Sequence, residues 1–152
     1  MTLFRSQNKN SRSRKRVIRT CCEGEVVDIS RSSNPAIASK ILGEGVCILC
    51  SQPDIHAPLS GVVTDVSDNG HTYSITADDG IVLLVCIKAD SKKEVIEPKV
   101  AKGDSVEAGD LLCSKENAEA AVIVTNVELT YKFHVALGNT RTLEDGVIVY
   151  EL

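Results

Sequence analysis

The chain has no Trp and few other aromatics; three Tyr and two Phe make up 3% of its 152 residues. An interior built on stacked rings is excluded, so the core must be aliphatic, with Val and Ile foremost. Long apolar runs are also missing. The longest is the seven residues Ile81 to Ile87, a strand length far below a membrane-spanning helix. No apolar signal segment follows the basic N-terminus, which gives the expectation of a cytoplasmic protein. The length suits one domain with a sizeable core.

Acidic residues are absent from the first twenty positions, which hold seven of the 17 Lys and Arg residues: Arg5, Lys9, Arg12, Arg14, Lys15, Arg16 and Arg19. The remainder carries ten bases against all 21 acids, a net of −11. With its Ser and Asn content, the segment 1–20 reads as a basic disordered leader. Residues 5–19 are candidates for contact with an anionic surface. The body has no basic stripe and little aromatic surface, which argues against nucleic acid as a partner.

Six cysteines stand at positions 21, 22, 47, 50, 86 and 113. In a cytoplasmic chain they are expected to be reduced. Cys47-Ile48-Leu49-Cys50 has the spacing of a metal or redox pair. It falls in a strand-like run, however, where residues three apart face opposite sides. Two ordinary small apolar residues are the simpler reading.

Beyond residue 20 the pattern is short strands between turn signals. The segments 25–29, 46–50, 61–66, 71–76 and 81–87 are the clearest, followed by 122–125, 131–136 and 147–150. Asp68-Asn69-Gly70 and Asp78-Asp79-Gly80 mark tight turns. Only 115–121 is expected to be helical, with a further turn near 36–42. Gly24 to Ser30 and Gly61 to Ser67 share Gly, Val, Asp and Ser at matching positions, a faint internal repeat. The fold class that follows is all-β, an antiparallel sandwich or barrel with a duplicated architecture and only short helical turns.

Spacing also brings a His and a Cys together. A two-residue turn at Asp79-Gly80 would pair Asp78 with Ile81 and place Tyr73 opposite Cys86. His71 would then lie diagonal to Cys86 on one sheet face, about 7–8 Å away between backbones.

The run Leu84-Val85-Cys86-Ile87-Lys88-Ala89-Asp90 resembles a segment of the glucose-type IIA proteins of the bacterial sugar phosphotransferase system. In that family it reads roughly Leu-Ile-His-Ile-Gly-Leu-Asp. Four more stretches match in order: Gly43-Glu44-Gly45-Val46, Ala57-Pro58-Leu59-Ser60-Gly61, Val100-Ala101-Lys102-Gly103-Asp104-Ser105-Val106 and Val122-Ile123-Val124-Thr125-Asn126. The resemblance spans about 21–126. It implies an antiparallel β-sandwich of the duplicated hybrid type over that span, with 127–152 as a C-terminal extension read as a β-hairpin packed on the domain.

The resemblance also implies site residues. Cys86 stands where the family has the His that carries the phosphoryl group, and His71 aligns with the second, supporting His. Asp90 aligns with an acidic residue near the partner-docking rim. Lys88 replaces Gly, and Asn69 stands where Thr is frequent. The implied partners are protein components of the system, the general His-phosphocarrier or a sugar permease component.

Three chemistries are open to such a site. With the acceptor imidazole replaced, the protein would bind partners or regulate, a degenerate IIA module. A Cys86 thiolate, assisted by His71, could instead accept the phosphoryl group, keeping a phosphocarrier role in sugar uptake. A thiolate and an imidazole could also hold Zn, although two ligands make an open site; no other cofactor is expected. His56 and His134 are read as surface or edge residues. Biotinyl and lipoyl carriers share the Gly-Asp pattern but need a modifiable Lys in a Met-Lys-Met or Asp-Lys-Ala setting, which is absent. Zinc endopeptidases of related architecture need a His-x-His pair, also absent.

Overall fold

In the computed structural model, which describes residues 15–152, the strands follow the alternation of apolar and polar residues. They are β1 Lys15–Arg19, β2 Gly24–Asp28, β3 Glu44–Cys50, β4 Asp54–His56, β5 Gly61–Val66, β6 Thr72–Thr76, β7 Val82–Ile87, β8 Ser105–Val106, β9 Leu111–Ser114, β10 Glu119–Val124, β11 Lys132–Val135, β12 Gly138–Asn139 and β13 Gly146–Glu151. Eight form one sheet in the order β12-β2-β3-β10-β7-β6-β5-β8. A three-stranded sheet, β1-β13-β11, and a ribbon, β4-β9, complete the fold. Every strand pair is antiparallel. This is the expected all-β sandwich.

The main core lies between the large sheet and the two smaller ones. Val46, Ile48, Tyr73, Ile75, Leu83, Val85 and Val122 supply the inner face of the large sheet, and Ile18, Ile55, Leu112, Ile148 and Tyr150 meet them. Alternation then sends Val27, Cys47, Ala121 and Ile123 to the outer face, where Ile29 and Ile37 cover them. Each such aliphatic side chain contributes about 1.5–3 kcal/mol by leaving water.

The cover over this outer patch is short and locally specified. Asp28 accepts from the Ser30 amide at 2.9 Å and starts a 3-10 turn, Ile29–Arg31. Asn34 then caps the single-turn helix α1, Pro35–Ala38, accepting from the Ala36 amide at 3.0 Å. Pro35 fits there because the first helical position needs no N–H. The turn expected near 36–42 is thus a helix one position earlier.

The faint repeat has a structural counterpart. Gly24 opens β2 and Gly61 opens β5, and these strands are each second from an end of the eight-stranded sheet. A Cβ on Gly24 would come within 2.1 Å of the Leu49 carbonyl oxygen, and one on Gly61 within 2.3 Å of that of Thr76. Both halves need a residue without a side chain at the same point.

Three readings are corrected. Lys15–Arg19, assigned by composition to the leader, is strand β1, paired with β13 and burying Ile18. Basic neighbours mask its apolar signal; residues 1–14 lie outside the described residues. Residues 115–121 are not helical. Asn117 takes a positive φ of 51°, and Glu119–Ala121 begin β10, which is hydrogen-bonded to β3 and β7. Pairing on both sides overrides a weak helical preference. Finally, β11 and β13 do pair antiparallel, but the chain between them detours through β12 to the edge beside β2. Val147, Ile148 and Tyr150 belong to the main core, so β13 is an integral strand rather than half of an added hairpin.

Candidate functional site

The β6–β7 hairpin decides where His71 and Cys86 point. Ala77 and Ile81 close the turn through the Ala77 N–H to Ile81 carbonyl bond at 2.9 Å, leaving a three-residue loop, Asp78-Asp79-Gly80. Gly80 takes φ 92°, the left-handed position that such loops place last. Asp79 accepts from the Ile81 amide at 3.0 Å and holds the turn. The expected two-residue turn is therefore corrected by one position, and Cys86 pairs with Thr72, not Tyr73.

A slip of one residue exchanges faces. The Ile87 amide donates to the His71 carbonyl at 2.7 Å, so His71 is opposite Ile87 and shares its parity with Tyr73. Cys86 belongs with Thr72 and Leu84, on the outer face. The His71–Cys86 pair expected from spacing is not formed.

Cys86 is half-buried and packs against the outer-face cluster with Leu84. It lines a cavity of about 650 Å³ with Ile37, Leu42, Leu84, Lys88 and Ala121. Burial pushes its thiol up to about 11; the Thr72 hydroxyl beside it opposes this and Cys47 adds to it. The thiol is thus protonated at neutral pH, the inert form.

His71 is buried and faces main-chain carbonyls. Its Nδ1 lies 3.1 Å from the Ile87 oxygen and its Nε2 3.1 Å from the Glu94 oxygen. The nearest carboxylate oxygen, Glu94 Oε1, is 3.6 Å from Nε2. Glu94 is held below the usual carboxylate range, first by the Lys115 hydrogen bond and then by the Asp90 amide.

The other expected site residues separate. Lys88 lines the cavity, with its amide donating to the Glu119 carbonyl at 2.9 Å. Asp90 is exposed on the rim and lies 3.4 Å from Lys115 Nζ. Asn69 belongs to the β5–β6 turn. Its Oδ1 accepts from the Ser67 hydroxyl at 2.8 Å and the His71 amide at 3.1 Å. His56 Nδ1 lies 3.0 Å from the Gly109 oxygen, and His134 is exposed on edge strand β11.

Sequence reasoning missed Glu94, Lys115 and the α1 cover. Asn34-Pro35 was a legible helix start. Lys115 carried no signal, because its contacts are 21 and 27 residues away.

The donor set does not fit zinc. His71 and Cys86 face different sides of the sheet, and among the described residues no group of three or more His, Cys, Asp or Glu is placed to hold a metal ion. The reduced state expected for all six cysteines is also corrected. Cys22 and Cys50 form a disulfide, with Cα atoms 5.9 Å apart. The β2–β3 register sets Gly24 opposite Cys50, which brings the chain just before β2 alongside the end of β3. Cys47 and Cys50 do face opposite sides, one in each cluster.

Of the described part of the basic leader, Arg16 is committed to the hairpin tip. Arg16 lies 3.2 Å from Asp78 and 3.9 Å from Asp79. Positions 5–14 of the expected anionic contact lie outside the described residues. Among those described, no helix is long and apolar enough to cross a membrane.

The class of the domain is an antiparallel β-sandwich with a cavity beside the middle of its large sheet. Comparison with known proteins supplies the family. Residues 16–130 match the profile of the phosphoenolpyruvate-dependent sugar phosphotransferase system, EIIA 1, and the chain belongs to this family, the glucose-type IIA proteins. It is 29% identical over 148 residues to the glucose-specific EIIA component of Buchnera aphidicola, covering 90% of this chain and 92% of that one. It is 32% identical over 123 residues to that of Staphylococcus aureus strain MSSA476, covering 73% and 74%. The glucose permease IIA from Mycoplasma capricolum has the same fold, with a TM-score of 0.77 at 22% identity over 89% of this chain and 95% of that one.

Proposed function

We propose that this protein is a partner-binding, regulatory IIA module of a cytoplasmic sugar phosphotransferase system, and that it does not relay phosphate through a His. The observation that carries this reading is Cys86 itself. It occupies the position of the family's phosphoryl acceptor, yet its half-buried thiol is pushed up to about 11. A phosphocarrier needs a nucleophile that is ionised or has a base in contact. His71 cannot be that base from its place between two carbonyls.

Binding remains available to the site. The cavity beside Cys86 is lined by Leu42 and Leu84 over the buried Ile37 and Ala121, and Ile41, next to Leu42 in the chain, is 77% exposed. An apolar patch beside a charged rim suits protein docking, with Lys88 and Asp90 as rim contacts and Asn69 shaping the neighbouring turn. The partners would be the general His-phosphocarrier or a permease component, in uptake of glucose or a related sugar, as the relatives' names indicate.

The test is intact-mass measurement after incubation with phosphoenolpyruvate and the two general phosphotransfer proteins. The wild type is expected to gain no phosphate and Cys86→His to gain it, because docking survives and only the acceptor is lost. Phosphate on the wild type that is lost in Cys86→Ser and kept in His71→Ala would establish Cys86 as a phosphocysteine carrier and overturn the proposal.

A further inference from the structure

The residue aligned with the supporting His has a different task here. We propose that His71, together with Lys115, is a positioning residue that fixes the rim of the cavity, residues 88–96, by gripping Glu94. The grip is a property of this fold alone; its bearing on docking rests on the function proposed above.

The rim leaves β7 at Ile87 and returns to the body at Ile96, which is buried. One imidazole bridges the carbonyls near its two ends, Ile87 through Nδ1 and Glu94 through Nε2, each at 3.1 Å. A carbonyl only accepts, and a neutral imidazole has one N–H. The tautomer decides which carbonyl takes the N–H, and the other nitrogen packs beside its carbonyl; Glu94 Oε1 lies 3.6 Å from Nε2.

Lys115 works from the other side. Its Nζ donates to Glu94 Oε1 at 2.8 Å and to the Lys88 carbonyl at 2.7 Å, and lies 3.4 Å from Asp90 Oδ2. Glu94 Oε1 also accepts from the Asp90 amide at 3.0 Å. The His71 ring and the Lys115 ammonium thus both face Glu94, and Lys115 also lies beside Asp90. The side chains of His71 and Lys115 are only 6% and 9% exposed, so these bonds compete little with water. The remaining charges of the segment, Lys88, Lys92 and Lys93, are exposed.

Lys88 and Ala89 line the cavity. Whatever holds the Lys88 carbonyl and Glu94 therefore sets the width of the cavity mouth. A His that only filled space would act on the β6–β7 pair as a whole, not on the rim.

Hydrogen exchange of the full chain tests this without any partner. In His71→Gln and Lys115→Met the amides of Asp90 and Ile96 are expected to exchange at least about tenfold faster, the scale of one lost charged hydrogen bond. Amides of β10 should be unchanged, Cys86 should alkylate faster, and Lys115→Arg should keep the rim protected. Wild-type protection of the rim in His71→Gln, or equal loosening through β10, would overturn the proposal. Phosphate on Cys86 with the rim behaving as expected would refute the proposed function and leave the grip standing.

Discussion

The Tyr150 hydroxyl donates to Asp79 Oδ2 at 2.5 Å, tying the C-terminal strand to the tip of the hairpin that carries Cys86. The Asp79 side chain is only 2% exposed, with Arg16 Nε 3.9 Å away. Three segments distant in sequence thus meet at one carboxylate. Tyr150→Phe keeps the ring packing and removes only the donor. It is expected to cost about 1.5–3 kcal/mol, as for a hydrogen bond to a charged group, read from the midpoint of urea unfolding. A change below about 0.5 kcal/mol would mean that the Ile81 amide and Arg16 satisfy Asp79 without the tyrosine.

High pH should destabilise the fold through its thiols. Burial is the main cause that raises Cys47 and Cys86 to about 11 and Cys21 to about 12, from an ordinary value of 9.0. The folded state therefore keeps protons that the unfolded chain releases. Their contribution is fully present below pH 9 and is lost progressively as pH rises through 11. Denaturant midpoints measured from pH 8 to 11 should fall, and the fall should be shallower in Cys86→Ala than in the wild type. A midpoint rising across this range would contradict the burial of these thiols.

The register of one hairpin separates what the sequence revealed from what it did not. The strands at 61–66 and near 71–76 and 81–87 were legible from alternation between turn signals, and so was the all-β class. The segment Asp78-Asp79-Gly80 was legible as a turn, but its residues fit a two- or a three-residue loop equally well. That single choice moved Cys86 from the His71 side of the sheet to the other. The cavity beside Cys86 was hidden for a related reason. Its walls come from α1, β7 and β10, which meet only through the sheet order. In β1, charged neighbours and the exposed Val17 hid the single buried Ile18, so an edge strand looked like a leader. Position 86 itself was legible, because five stretches stand in family order around it.

The disulfide gives a mass-spectrometric expectation. Unfolded in denaturant without reductant, the protein should take up four alkyl groups, on Cys21, Cys47, Cys86 and Cys113. With reductant it should take up six. The Cys22–Cys50 bridge closes a loop of sequence separation 28, so Cys50→Ser is expected to cost about 2–4 kcal/mol. Six alkylations without reductant, in protein never exposed to one, would count against the bridge.

The paired glycines provide a test of the duplicated architecture. In Gly61→Ala the new methyl would sit 2.3 Å from the Thr76 carbonyl oxygen, and in Gly24→Ala 2.1 Å from that of Leu49. Both oxygens belong to backbone held in the sheet, so neither can turn aside as a flexible side chain would. Strands β5 and β6, or β2 and β3, must separate, and each substitution is expected to cost about 3 kcal/mol, the upper end for overpacking. Gly80→Ala is the control. No atom lies within 4 Å of its added Cβ, and its φ of 92° is the sole obstacle. That cost should be about 1–2 kcal/mol. Gly24→Ala also meets a φ of 157°, so urea unfolding should place Gly61→Ala well below Gly80→Ala, and Gly24→Ala no higher than Gly61→Ala. If Gly61→Ala proves as mild as Gly80→Ala, the close approach at the start of β5 is wrong, and with it the equivalence of the two halves.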